Sequence, residues 1–403
     1  MSSLPQHSSE RHVPSTAAGF NGMRGVEHLY IAGAGFSFHA GLPLATGFTE
    51  RLLDNTSLPK DRLSADLIEF LRSFVDDVFG AGDEVQPGEW PQLEDLFTVI
   101  DLAANTGHHL GRYYSASVLR TCRRALIVRL MRMLRHSYEA RKRDPDPARE
   151  ALRSLFDSLQ LDSTAFLSLN WDTVIEDLLT DERRVGNIDY ACGAIPALFD
   201  RKSGRAGHRV VPHGSTAVKV LKPHGSINWM YCDACRKLFW FESNDVLRIA
   251  RRLFKDSDAD TVESYTGRRP TPAARPARCP ECRAVALGTR LATFSYRKAL
   301  DFPMHAASWR AAEMLLWEAR TWIFVGYSMP AADYEFKQML KQVQLSRRTK
   351  PEILLITGGS AAADTAMTYR RFFGANSIND DDIIPDGLGA RALARLRLRG
   401  AVL

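Results

Sequence analysis

A chain of 403 residues has room for two or three domains, and a 45% hydrophobic share supplies a sizeable core, which excludes a wholly disordered protein. No run of about 18 apolar residues is present for a membrane span, and the N-terminal stretch MSSLPQHSSERHVPSTAAGF lacks the apolar segment of a signal peptide, so a cytoplasmic protein with no membrane partner is expected. Lys and Arg outnumber Asp and Glu by 53 to 47; that mild excess does not call for nucleic acid and suits a phosphate-bearing small ligand equally well.

Residues 1–25 are polar, show no apolar periodicity and read as a mobile tail. His28-Leu29-Tyr30-Ile31-Ala32 reads as a buried strand that runs into Gly33-Ala34-Gly35 and a helical segment ending near Gly41-Leu42-Pro43. From about 58 to 160 the spacing is helical. Leu63, Leu67, Phe70, Leu71, Phe74 and Val78 form one stripe, and Leu93, Leu96, Phe97 and Ile100 another. Arg120, Arg123, Arg124, Arg129, Arg132 and Arg135 interleave with Leu119, Leu126, Ile127, Leu130 and Leu134, which reads as a solvated helix face rather than a nucleic-acid patch. After the breaker run Asp144-Pro145-Asp146-Pro147 comes a helix with Leu152, Leu155, Phe156 and Leu159.

Strands return at 165–169, 218–222, 321–325 and 352–356, short apolar runs separated by helices. This pattern predicts an α/β fold: a Rossmann-like parallel sheet with helices on both faces, assembled from 26–57, 161–227 and 286–403. Residues 58–160 are then a helical insertion or cap, and 228–285 a zinc-binding module.

Open α/β sheets bind ligands at the carboxyl ends of their strands, and each predicted strand here ends in a polar or glycine cluster. Gly33-Ala34-Gly35-Phe36-Ser37 is a turn that either lets backbone approach a pyrophosphate or is simply tight. In Ser168-Leu169-Asn170-Trp171-Asp172, Asn170 and Asp172 have the chemistry to hold ribose hydroxyls, while Asp172 is equally suited to cap the next helix. Lys222-Pro223-His224-Gly225-Ser226 offers His224 as a base near neutral pH. Gly326-Tyr327-Ser328 repeats the strand-to-glycine turn, with Gly326 and Ser328 expected to face a nucleotide and Asp333 to cap the next helix. Cys232, Cys235, Cys279 and Cys282 form two C-x-x-C pairs, the set for a closed, structural Zn2+; Cys122 and Cys192 are left as free thiols.

The order of these segments resembles the Sir2 (sirtuin-like) superfamily. GAGFSFHAGLP at 33–43 is similar to its GAG-x-S-x-x-AG-x-P loop, SLNWDTVIE at 168–176 to its T-x-N-x-D segment, KPHGS at 222–226 to its K-x-HG segment, and GYSMPAAD at 326–333 to its late G-x-S turn. The paired cysteines sit where its zinc ribbon sits. The resemblance covers 28 to about 375. It implies NAD+ as substrate, bound by Gly33, Ala34, Gly35, Ser37, Pro43, Asn170, Gly326 and Ser328, with Asn170, His224 and Asp172 as the catalytic group.

Two departures narrow the expectation. Deacylase sirtuins follow the loop's proline with D-F-R, where this chain has Leu44-Ala45-Thr46-Gly47-Phe48; they also carry a V-x-F-G-E-type peptide-capturing strand, where this chain has Leu291-Ala292-Thr293-Phe294-Ser295-Tyr296-Arg297-Lys298. With the helical insertion, both departures look more like the Sir2-like NADases of bacterial antiphage defence. The leading expectation is an NAD+ glycohydrolase giving ADP-ribose and nicotinamide, a homo-oligomer restrained through residues 58–160, with an ATPase, helicase or other defence protein as partner. An NAD+-dependent protein deacylase and a non-catalytic nucleotide-binding subunit are the alternatives.

Overall fold

The computed structural model describes residues 25–44, 47–54, 62–80, 89–142, 145–200, 205–212, 214–272, 276–289, 291 and 303–403. The expected tail up to residue 24, Ala45-Thr46 and the segment Ala292–Lys298 lie outside the described residues. In chain order the strands are β1 (His28–Ala32), β2 (Thr164–Ser168), β3 (Asn187–Asp189), β4 (Ile195–Phe199), β5 (Ala206–His208), β6 (Ala217–Leu221), β7 (Trp229–Cys232), β8 (Leu238–Phe241), β9 (Leu287–Gly288), β10 (Thr321–Val325), β11 (Glu352–Ile356) and β12 (Ile383–Ile384). The helices are α1 (Ala34–Phe38), α2 (Phe48–Leu53), α3 (Arg62–Phe79), α4 (Leu93–Thr106), α5 (Ala116–Arg141), α6 (Pro147–Ser158), α7 (Val174–Asp181), α8 (Val246–Leu253), α9 (Asp256–Thr266), α10 (Pro303–Glu318), α11 (Tyr334–Ser346), α12 (Ala362–Phe373) and α13 (Ala390–Leu398).

Seven strands form one parallel sheet in the order β12-β11-β10-β1-β2-β6-β3. β1 shows why it is parallel and buried on both faces. All five residues are buried; Leu29 and Ile31 join the core under α10, α11 and α12, while Tyr30 and Ala32 join the opposite core. That second core continues without a break through the helical insertion and into the cysteine-bearing module. The run Asp144-Pro145-Asp146-Pro147 ends as a helix start: Asp146 Oδ1 accepts from Ala148 N at 2.8 Å and Pro147 is the first helical residue of α6.

A second sheet, in the order β5-β4-β8-β7-β9, carries the cysteines. It takes β4 and β5 from the stretch 195–208, upstream of the module expected at 228–285, because β4 pairs with β8. β3, β5, β7, β9 and β12 have only two to four residues and β4 contains Pro196, so they leave little strand signal and escape sequence reading.

The arginine-rich face of α5 is not solvated throughout, contrary to expectation. Arg129, Arg132 and Arg135 are buried, because α5 packs against α2, α3, α4, α8 and α9. Arg129 donates to the Leu52 carbonyl at 2.8 Å and Arg123 pairs with Asp101 at 2.7 Å. Arg124 pairs with Asp258, and Arg135 with Asp177 at 2.5 Å. Charge at helical spacing marks an exposed face only when no neighbouring element brings acceptors to it. Among the described residues, no helix is long and apolar enough to cross a membrane.

Candidate functional site

β10, β1, β2 and β6 are consecutive neighbours in the sheet, with Ala32 opposite Ser168 on one side and Val325 on the other. Their carboxyl ends therefore place Gly33, Asn170, Lys222 and Gly326 at one edge, where the chain's path divides to left and right of β1. That is the position at which a parallel sheet opens a ligand crevice.

The glycines are explained first by one another. A Cβ on Gly326 would lie 2.3 Å from Gly35 C and Phe36 N, and one on Gly33 would lie 2.6 Å from the Gly326 oxygen. Gly326 also has φ +63°. The amides of Gly33 and Gly35 donate to the carbonyls of Val325 and Gly326 at 3.1 and 2.9 Å, and that of Phe36 donates to the Gly33 carbonyl at 2.9 Å. The two turns are thus clasped backbone to backbone, and those three amides are occupied within the protein. Ala34 and Ser328 are exposed, Gly35 and Gly326 half-buried, and Pro43 buried.

Asn170, Asp172 and Ser37 form one hydrogen-bonded group. The Asn170 side-chain nitrogen donates to the Gly33 carbonyl at 2.8 Å and to Ser37 Oγ at 2.9 Å, and Ser37 Oγ donates to Asp172 Oδ2 at 2.7 Å. Because a carbonyl only accepts, the Gly33 bond fixes which way the Asn170 amide faces, and its oxygen is left as a hydrogen-bond acceptor for a ligand or water. Asp172 Oδ1 accepts from Val174 N at 3.0 Å, so Asp172 braces the entry to α7 from one residue before the cap, which is Thr173. Asp333 sits at the start of α11 without a side-chain cap bond to that helix and accepts instead from Tyr327 OH at 3.0 Å.

His224 is buried beside this group, with Nδ1 3.1 Å from the Leu169 carbonyl. That contact requires the hydrogen on Nδ1, which leaves the lone pair of the neutral ring on Nε2. Trp309 of α10 lies against it, ring centres 6.1 Å apart, and His305 Nδ1 is 3.1 Å from the Pro223 carbonyl. Lys222 Nζ donates to the Asp172 carbonyl and to Glu176 Oε1, the latter at 3.1 Å. His305, Trp309, Glu176 and the buried role of Lys222 were not foreseen; the one sequence signal was a lysine closing an apolar strand. A hollow of about 800 Å3 bordered by Lys219, Leu221 and the α10 residues Ala307, Arg310 and Met314 contains none of the clustered residues and offers no comparable set of groups.

The four paired cysteines converge. Their sulfurs all lie within 4.8 Å of one another, with Cys232 to Cys282 at 3.6 Å and Cys235 to Cys279 at 3.7 Å. Zn–S bonds of about 2.3 Å in a regular tetrahedron place sulfurs about 3.8 Å apart, so the donor set fits Zn2+. The two knuckles repeat one backbone geometry. Arg236 N donates to Cys232 O at 2.8 Å and Arg283 N to Cys279 O at 3.1 Å, and both arginines lie in the left-handed region, φ 59° and 63°. A Zn2+ held there would have all four positions filled by protein thiols, the arrangement of structural rather than catalytic sites.

No protein-family profile and no curated protein matches the chain. Solved Sir2 structures do. One described as the structural basis for the mechanism and regulation of Sir2 enzymes is 13% identical, covering 91% of this chain and 89% of the other at a TM-score of 0.33. A Sir2 bound to acetylated peptide is 13% identical over 93% of each chain, TM-score 0.30, and a Sir2 complex with peptide and NAD+ is 14% identical over 93% of each, TM-score 0.29. At such values the architecture rests on the strand order and registers above.

Proposed function

We propose that the protein is an NAD+ hydrolase that breaks the nicotinamide–ribose bond, giving ADP-ribose and nicotinamide. The observation that carries this reading is the Ser37–Asn170–Asp172 group set beside His224 at the carboxyl ends of four adjacent parallel strands.

The pyridinium nicotinamide takes the bonding electrons and leaves neutral, so no acid is required; the ribose becomes oxocarbenium-like, and the protein's work is positioning and electrostatics. The Asn170 amide oxygen is suited to accept a hydrogen bond from the attacking water or a ribose hydroxyl and so orient it. His224 Nε2 takes the proton that water loses as its oxygen bonds C1′. Asp172 holds Ser37 and the entry to α7. Gly33, Ala34, Gly35, Ser37 and Pro43 on one side and Gly326 and Ser328 on the other flank the nucleotide, and Zn2+ at the four cysteines secures the module without entering the chemistry.

A free NADase would drain its own cell's cofactor, so activity is restrained, through self-assembly or a partner protein such as a defence-system ATPase acting on the helical insertion, as in an antiphage effector.

The test is a chromatographic time course of NAD+ with purified protein, alone and with candidate partners, beside an acyl-lysine peptide. Release of nicotinamide and ADP-ribose without peptide supports the proposal. Turnover only with acyl peptide makes the protein a deacylase, and binding of ADP-ribose without turnover makes it a nucleotide-binding subunit.

A further inference from the structure

Lys222 is wholly buried, an expensive place for an ammonium. Its charge is met by Glu176 Oε1 at 3.1 Å, which also accepts from Tyr190 OH at 3.1 Å. Tyr190 OH accepts from Asn228 Nδ2 at 3.0 Å, and the same Asn228 nitrogen donates to the Phe241 carbonyl of β8 at 3.0 Å. On its other side Lys222 Nζ donates to the Asp172 carbonyl. A continuous set of hydrogen bonds therefore runs from the cysteine-bearing sheet through Asn228, Tyr190, Glu176 and Lys222 to Asp172, and on through Ser37 and Asn170 to Gly33.

Asp172 is where this set divides. Its carbonyl is held from the end of β6, its Oδ1 by α7 and its Oδ2 by α1, so three elements fix one residue. Two apolar side chains would fill the space of Lys222 and Glu176, and such replacements are often neutral or stabilising. Fold stability alone is thus a weak reason for the pair. What apolar groups cannot do is donate to the Asp172 carbonyl.

We propose that Lys222 is a positioning residue for NAD+ cleavage, with Glu176 as its counter-charge: it locks the turn carrying Asn170 and Asp172 against the His224 turn by holding the Asp172 carbonyl. The assignment rests on the hydrolase reading above. Neither residue touches substrate. Both act through Asp172, and they couple the turn to the cysteine-bearing module through Tyr190 and Asn228.

The test compares Lys222→Met with the double variant Lys222→Met/Glu176→Met. The single variant strands the Glu176 carboxylate in the interior and unfolds more readily; the double variant removes both charges and recovers the thermal midpoint. The expected result is that the recovered double variant still turns over NAD+ about a hundredfold more slowly, the scale on which misplacement by about 1 Å acts, with KM changed far less than kcat. Recovery of kcat to within about threefold of the parent would overturn the proposal. Amide hydrogen exchange separates its failure from that of the hydrolase reading: if the parent protein leaves NAD+ intact, the hydrolase reading fails. Faster exchange confined to 171–174 in the double variant then supports the positioning role, and unchanged exchange there overturns it.

Discussion

Ser37 donates its one hydroxyl hydrogen to Asp172 Oδ2 at 2.7 Å while accepting from the Asn170 amide at 2.9 Å, across more than 130 residues of sequence. The direction of both bonds is fixed, since a carboxylate only accepts and the Asn170 nitrogen only donates. Ser37 is therefore the joint through which the two segments hold one geometry. Ser37→Ala leaves a carboxylate oxygen and an amide hydrogen unpaired, at a cost of about 1–3 kcal/mol. Denaturant unfolding is expected to show that loss, with kcat reduced. Asn170→Asp should be worse for turnover than Ser37→Ala, because it sets an oxygen against the Gly33 carbonyl. Equal kcat for Asn170→Asp and the parent would remove Asn170 from the site.

The backbone clasp between the two turns makes a separate prediction. Gly326 and Gly359 share a left-handed backbone, φ +63° and +75°, but an alanine Cβ at 359 meets nothing within 4 Å whereas one at 326 meets Gly35 C at 2.3 Å. Gly359→Ala is expected to cost the conformational penalty alone, about 1 kcal/mol. Gly326→Ala should cost at least about 2 kcal/mol more and lower NAD+ turnover. Similar unfolding midpoints for the two variants would show that the turns separate freely.

Much of this was legible in sequence. β1, β10 and β11 are short but unbroken apolar runs with glycines just beyond them, and the four clusters follow because strand ends in a parallel sheet share an edge. Arg129 and Arg135 were misread because their acceptors, the Leu52 carbonyl and Asp177, are distant in sequence. The glycines were legible as turn residues, but their reason is mutual contact: nothing in the string GAG reveals that Gly326 lies against Gly35. The Lys222–Glu176 pair was hidden likewise, two charges inside segments that otherwise read as strand end and helix.

One Zn2+ per chain is expected by elemental analysis, lost in Cys279→Ser/Cys282→Ser. Cys232 and Cys279 belong to the core that runs on through the insertion and β1, so removal of the metal should lower the melting temperature of the whole protein rather than of a detached module. Cys122 is buried with its thiol pushed up by desolvation, and burial lifts that of Cys192 to about 12. Both should react slowly with thiol reagents while Zn2+ is bound. Two fast-reacting thiols in the zinc-loaded protein would contradict this placement.

The last prediction concerns acid stability. Burial, and then the positive charge of Arg132, hold the His136 imidazole down at about 4 against an ordinary 6.5; Arg129 and Arg135 act the same way and Glu139 opposes them. Between those values the unfolded chain binds a proton that the native protein refuses, so stability present above pH about 6.5 is lost as pH falls toward about 4. Asp177 works in the opposite sense. Burial lifts its carboxyl to about 6 from 3.8 even though the Arg135 guanidinium pulls it down. The native protein then holds a proton that the unfolded chain releases, a contribution complete below about 3.8 and lost as pH rises through about 6. Melting temperatures from pH 7 to 4 should therefore fall less steeply in His136→Gln than in the parent, and more steeply in Asp177→Asn. Both groups lie along α5, one on it and one bonded to Arg135, so the two slopes report on the same helix from opposite directions. A decline unaltered in His136→Gln would mean that the imidazole is protonated in the native protein and that the surrounding arginines are screened from it.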